Sequence, residues 1–236
     1  MLIIHKKPFR TGALLGLSFL GVLFLIFSPV FGGKNGLEYS DDLFNKLSKG
    51  SSYFIPKLKD EVNKFSGKNI TVTVKLEKPE LLERAARVLG AVGAQVSAQG
   101  SDLKISTDLG KMLSGVIKDS DAMYHNDESK LAAAYGFDGR EVLSLWWSLL
   151  TKMDKELKKD KKVDESNVVS EVTKKGVEPA YNFFGIEAQR VTDKAGTMTG
   201  LLVFYVLYTL WWGYAIFYMF DGIGLSMKKA KVKKEV

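Results

Sequence analysis

The chain has 236 residues, 46% of them hydrophobic and 26% charged, with a formal net charge of +7, no cysteine and two histidines. Without cysteine there is no disulfide, thiolate zinc, iron–sulfur cluster, covalently attached haem or cysteine nucleophile. Two histidines are too few for a site built from several imidazoles, and the hydrophobic residues are clustered rather than spread.

Residues 1–10 are a short tail carrying His5, Lys6, Lys7 and Arg10. Thr11–Phe31 then has no charged side chain, over a length that matches the ~20 residues needed to cross a hydrocarbon core. A basic start before an apolar run is also the plan of a signal peptide. The run ends Ser28-Pro29-Val30-Phe31-Gly32-Gly33 with no site of the A-x-A kind, so it reads as an uncleaved signal anchor and first transmembrane helix. Within it, Gly12-x-x-x-Gly16 is a close-approach motif, fit for a partner helix or for the second span of the same chain.

Residues 32–66 form a membrane-proximal helical segment. Gly32, Gly33 and Gly36 break the chain, and Ser40-Asp41-Asp42 is expected to cap a helix carrying Leu43, Phe44 and Leu47. A second helix, Lys57–Phe65, follows Pro56 with Leu58, Val62 and Phe65 on one face. Residues 67–126 are the best-patterned stretch. Ile70, Val72, Val74 and Leu76 alternate with Thr71, Thr73, Lys75 and Glu77 as a half-buried strand. Pro79 opens a helix with Leu81, Leu82, Ala85, Val88 and Leu89, which stops at Gly90–Gly93. Val96 and Ala98 pair with Leu103 and Ile105 across the turn Gly100-Ser101-Asp102. Thr107-Asp108 caps a helix with Leu109, Met112, Leu113, Val116 and Ile117. The order β-α-β-β-α makes a compact α+β module whose helices cover one sheet face.

Residues 127–196 are helical again. Leu131–Tyr135 ends at Gly136, and Arg140–Lys162 carries Val142, Trp146, Leu149, Met153 and Leu157 at helical spacing before a lysine-rich half. Asp164–Lys175 follows with Val168, Val169 and Val172. Gly176 and Pro179 are expected to restart a helix through Tyr181, Phe184, Ala188 and Val191. Residues 197–220 are the second uncharged span, TMTGLLVFYVLYTLWWGYAIFYMF, and residues 221–236 a basic tail.

Charge sets the expected topology. Lys6, Lys7 and Arg10 precede the first span, and Lys228, Lys229, Lys231, Lys233 and Lys234 follow the second, placing both termini in the cytoplasm and residues 33–198 outside it, at an inner membrane. That outer segment holds 26 Lys+Arg against 25 Asp+Glu, so the positive excess lies in the two ends. The distribution argues against a nucleic-acid partner and suits contact of the C-terminal lysines with anionic headgroups of the lipid bilayer.

Chemistry is sparse. His125 reads as a surface residue at a helix end. Asp119, Asp121, Asp127 and Glu128 with Asn126 fail the calcium-loop pattern, because positions 5 and 6 counted from Asp119 are Met123 and Tyr124; they read as a solvated loop. There is no G-x-S-x-G elbow, no S-x-x-K in a catalytic frame and no phosphate loop. Asp221 reads as a solvated acid at the cytoplasmic edge of the second span. We therefore nominate no catalytic, cofactor or metal residue and read the chain as non-enzymatic.

The second span carries the strongest interaction signal. Nine of residues Leu201–Phe220 are aromatic, and Tyr208, Trp211 and Trp212 lie near the middle, away from the interfaces where aromatic belts belong. Phe204, Tyr208, Trp211 and Tyr218 share a face, and with Trp212, Gly12 and Gly16 they are the expected packing residues toward other membrane subunits. The expected function is an accessory or scaffold subunit of a larger membrane complex. In architecture the chain also resembles the polysaccharide co-polymerases, which share two spans, an α/β base and extended helices, here Arg140–Lys162 and Asp164–Lys194. That resemblance implies a self-assembling envelope organiser, although the second span lacks the proline expected of that family. A third expectation is a sensor that signals through a separate protein.

Overall fold

A computed structural model describes residues 3–76 and 78–225. The chain is mostly helical with one three-stranded sheet, and it divides into two compact units, Asn45–Ala188 and the residues on either side of that segment.

The central unit is built on the expected module. Strand β1 (Asn69–Lys75) alternates exposed and buried residues along its whole length, β3 (Asp102–Asp108) follows the same alternation, and β2 (Gln95–Gln99) completes the sheet. The order is β1-β3-β2, with both pairings antiparallel. Gly100 has a positive φ, the left-handed backbone that the two-residue turn between β2 and β3 requires. Helix α4 (Pro79–Ala91) crosses between β1 and β2. Helix α5 (Leu109–Tyr124) starts where the Asp108 carboxylate accepts the Lys111 N–H at 3.0 Å, an N-cap that satisfies a free helix-end donor. The N–H groups of Lys111 and Gly67 hold that carboxyl below its ordinary range.

Helices α3 (Ile55–Asn63), α6 (Glu128–Tyr135) and α7 (Gly139–Lys159) close the core, α7 packing against β1. Asp138 caps α7 by accepting from Arg140 N at 2.7 Å and from Glu141 N at 3.3 Å, again filling donors that the first helical turn leaves free. One hydrophobic core runs from Ile55 to Ala180, with Trp146, Leu113, Ile105 and Val88 wholly enclosed. The segments read as a module and a helical region share it.

Beyond α7 the structure departs from expectation. Helix α8 (Val163–Val172) passes into a π turn, Thr173–Val177, and then into α9 (Glu178–Asn182). Glu178 N–H reaches back five residues to Thr173 O. Pro179 has no N–H to donate, and the widened turn absorbs the missing bond, so no restart occurs at Gly176. Gly185, in the left-handed region, then ends helical structure, and Ala188 lies in irregular chain. The long helix expected over Asp164–Lys194 is thus replaced by short pieces and a loop.

The other unit contains α1 (Lys6–Phe27) and α10 (Ala195–Gly222), two helices long and apolar enough to cross a membrane. At ~1.5 Å per residue they measure about 33 and about 42 Å. Helix α1 begins five residues before the expected Thr11 and ends four before Phe31. Ser28 takes up extended backbone, as the residue before a proline is driven to do, and the helix stops ahead of Pro29. The chain then reverses through Gly32 and Gly33, both at positive φ, as a tight Phe31–Lys34 bridge. Helix α2 (Gly36–Ser51) starts earlier than the Ser40-Asp41-Asp42 reading. Asn35 Oδ1 accepts from Leu37 N and Glu38 N, and Glu38 Oε2 accepts from Asn35 N at 3.0 Å. This is a reciprocal capping box, set about one turn upstream.

Candidate docking face and buried polar networks

Helix α7 carries adjacent tryptophans, and the rotation of about 100° between neighbouring helical residues sends them to different environments. Trp146 is wholly buried, whereas Trp147 stays 47% exposed. Trp147 Nε1 donates to Glu178 Oε1 of α9 at 3.0 Å. Tyr181, 42% exposed, lies one helical turn further along α9, and Trp147 and Tyr181 line two adjoining hollows of about 350 and 460 Å³. Arg140 stands 6.0 Å from the Tyr181 ring and 5.2 Å from the Phe184 ring, within the range of a cation–π contact. At the far side Arg84 pairs with Glu141 at 2.5 Å and lies 5.2 Å from the Phe137 ring. Trp, Tyr and Arg on rigid helices around a concavity form the residue set that dominates protein interface energetics.

A second network is internal. Asp119 is 8% exposed, and its Oδ2 accepts from the Tyr135 hydroxyl at 2.7 Å and from Trp146 Nε1 at 2.8 Å. Burial pushes its carboxyl pKa up, against the opposing pull of those two donors. This residue corrects the solvated-loop reading. The other members of that acidic stretch are dispersed: Asp121 meets Tyr53, Lys59 and His125, Asp127 meets Lys130, and Glu128 accepts from Gly139 N. His125 caps the end of α5 with its ring on Asp121 O at 2.8 Å, a surface position. No group of three or more potential metal ligands occurs among the described residues.

A third network ties the ends of the central unit. Lys49, 2% exposed, donates to Ile186 O at 2.5 Å, Phe183 O at 3.1 Å and Asn126 Oδ1 at 3.1 Å. Tyr124 places its ring 5.1 Å from the ammonium and its hydroxyl on Lys49 O. Asn126 has a positive φ, a left-handed backbone that asparagine tolerates. From there its Nδ2 reaches Ile186 O and its Oδ1 accepts from Gly185 N.

The residues nominated on the long helices largely meet within the chain. A Cβ on Gly12 would stand 2.5 Å from Met219 N, so this glycine permits the close approach of α1 and α10. Gly16 is buried as well, but the space above it is open. Tyr208 stacks on Phe19 at 4.1 Å, Trp212 tilts on the same ring at 4.6 Å, and Trp211 Nε1 donates to Leu15 O at 3.1 Å. The Tyr208 hydroxyl has no partner among the described residues. Phe204 extends the stack through Tyr208, and Tyr218 edges onto Phe217. Lys228, Lys229, Lys231, Lys233 and Lys234 lie outside the described residues.

Sequence reasoning missed Trp147, Tyr181 and Arg140 as a group. The signal was the Trp-Trp pair, since both rings cannot face one core. It also missed Asp119, although Met112, Val116, Asp119 and Met123 share one helical stripe. For Lys49 no local signal exists, because its partners lie 77 to 137 residues away. Comparison with protein-family models, with curated proteins and with solved structures gives no match to this chain.

Proposed function

We propose that the chain is a two-span protein of an inner membrane, with both termini cytoplasmic and residues 33–198 outside, acting as a non-enzymatic docking subunit of a larger complex. The observation that carries this reading is the Trp147–Tyr181–Arg140 concavity, large exposed aromatic and cationic groups set on a rigid core. The second support is α10, whose Phe204, Tyr205, Tyr214 and Phe217 remain exposed after α1 has taken up Tyr208 and Trp211. The aromatic groups on α10 suit helix packing within a bilayer, where side-chain packing and polar tips replace the hydrophobic drive.

The test is extraction of the full chain in a mild detergent, followed by mass measurement under native conditions. The expected result is a second polypeptide retained in stoichiometric amount. Recovery of this chain alone, as a single copy or as a closed ring, overturns the hetero-complex; the ring would instead mark the envelope-organiser architecture.

A further inference from the structure

Strand β2 ends the sheet, with β3 on one side and, among the described residues, no strand on the other. Among the described residues no backbone hydrogen bond outside the sheet ladder reaches Gln95–Gln99. Natural edge strands are commonly blunted by lysine, proline or a bulge, yet Gln-Val-Ser-Ala-Gln holds no charge and no proline. On the core face, Leu103 and Ile105 of the neighbouring strand are sealed, whereas Val96 is half-buried and Ala98 exposed. The buried face thus thins out at this edge, where Val96 still packs on the core and Ala98 does not.

The sequence of the edge is nearly its own mirror. Laid antiparallel against itself about Ser97, it sets Gln95 opposite Gln99, Val96 opposite Ala98 and Ser97 opposite Ser97. Gln99 pairs with Asp102 across the two-residue turn, and such a closing pair exchanges both backbone bonds. Gln95, Ser97 and Gln99 then direct their backbone groups to β3, so Val96 and Ala98 aim their N–H and C=O groups outward. A twofold copy matches them with four hydrogen bonds, covers both apolar side chains and pairs the glutamine amides. We propose that β2 is a homodimerisation edge, joining two copies of this chain into a six-stranded sheet. The edge is independent of the docking concavity.

The absence of native cysteine makes a register-specific test direct. Ser97 opposes Ser97 in a non-hydrogen-bonded pair, where Cα atoms lie ~4.5 Å apart, within disulfide range. In native membranes containing the full chain, mild oxidation should cross-link S97C to itself. Q95C or Q99C alone should stay monomeric, and the two co-expressed should cross-link to each other. Adding A98K to S97C should abolish the cross-link while leaving the unfolding temperature in place. Absence of the S97C dimer together with failure of the Q95C–Q99C pair overturns the proposal. Equal cross-linking at all three positions, or capture of a different polypeptide at Ser97, overturns it too.

Discussion

The Lys49 ammonium and the Ile186 carbonyl, 137 residues apart in the chain, meet at 2.5 Å. Asn126 bonds the same carbonyl, so three distant segments converge on one oxygen. The central unit runs from Asn45 to Ala188, and the contact therefore fastens its chain entry to its chain exit. Among the described residues the Lys49 ammonium donates to two carbonyls and an amide oxygen, none of them a carboxylate, and burial lowers its pKa.

Replacing Lys49 by Met keeps the aliphatic stem and removes the donors. Phe183 O keeps Ile186 N, Ile186 O keeps Asn126 Nδ2 and Asn126 Oδ1 keeps Gly185 N, so the cost expected is that of the lost hydrogen bonds to a charged donor, about 1.5–3 kcal/mol. Thermal unfolding should show a lowered midpoint, and limited proteolysis should cut sooner near Gly185. An unchanged midpoint would reduce the clasp to an incidental contact.

Asp119 gives the unit a pH-dependent stability. Its folded pKa lies above the ordinary 3.8 because burial disfavours the charge. The folded chain therefore holds a proton that the unfolded chain has lost, and between 3.8 and the raised value stability increases as pH falls. It declines again as pH rises through the folded pKa. D119N should flatten this dependence without lowering stability at neutral pH. Y135F removes a hydrogen bond to a buried carboxylate and should cost about 1.5–3 kcal/mol at neutral pH.

Gly12 and Gly16 should respond differently to the same added methyl group. At Gly12 the new Cβ meets backbone atoms of Met219 and Ala215, whereas at Gly16 it meets nothing within 4 Å. G12A should cost about 1–3 kcal/mol through overpacking, read as a lower unfolding midpoint in detergent. G16A should leave the midpoint in place. Equal sensitivity at both sites would contradict the close approach at Gly12.

Trp147 separates docking from stability. It is half-exposed and donates to Glu178 of α9, so W147A should cost about 1 kcal/mol, far short of unfolding the unit. R140E should behave alike, since Arg140 makes no ion pair among the described residues. Both variants should lose the polypeptide that the wild-type chain retains under native mass measurement. Retention by both would move the docking surface elsewhere.

The proposed topology is read by single cysteines in this cysteine-free chain. A membrane-impermeant maleimide should label K155C on intact cells, and K6C only after permeabilisation. The reverse pattern would invert the orientation argued from the flanking charges.

Local patterns were legible wherever one short stretch of chain decides its own state. Alternation at Ile70, Val72 and Val74 specified a half-buried strand, the uncharged runs specified two long apolar helices, and Asp108 marked the start of α5. Boundaries moved where a neighbour intervened: Asn35 and Glu38 capped α2 before Ser40 could, and the π turn carried the chain past Gly176. The sequence by itself determined the elements through α7, the two long apolar helices and the placement of charge at the ends, because periodicity and charge are local properties. Only the tertiary structure decided which polar side chains are buried and which aromatics are left over. Asp119, Lys49 and Trp147 acquire their roles from partners 16 to 137 residues away, and pairing over such distances is set by how whole helices pack, which no local pattern encodes.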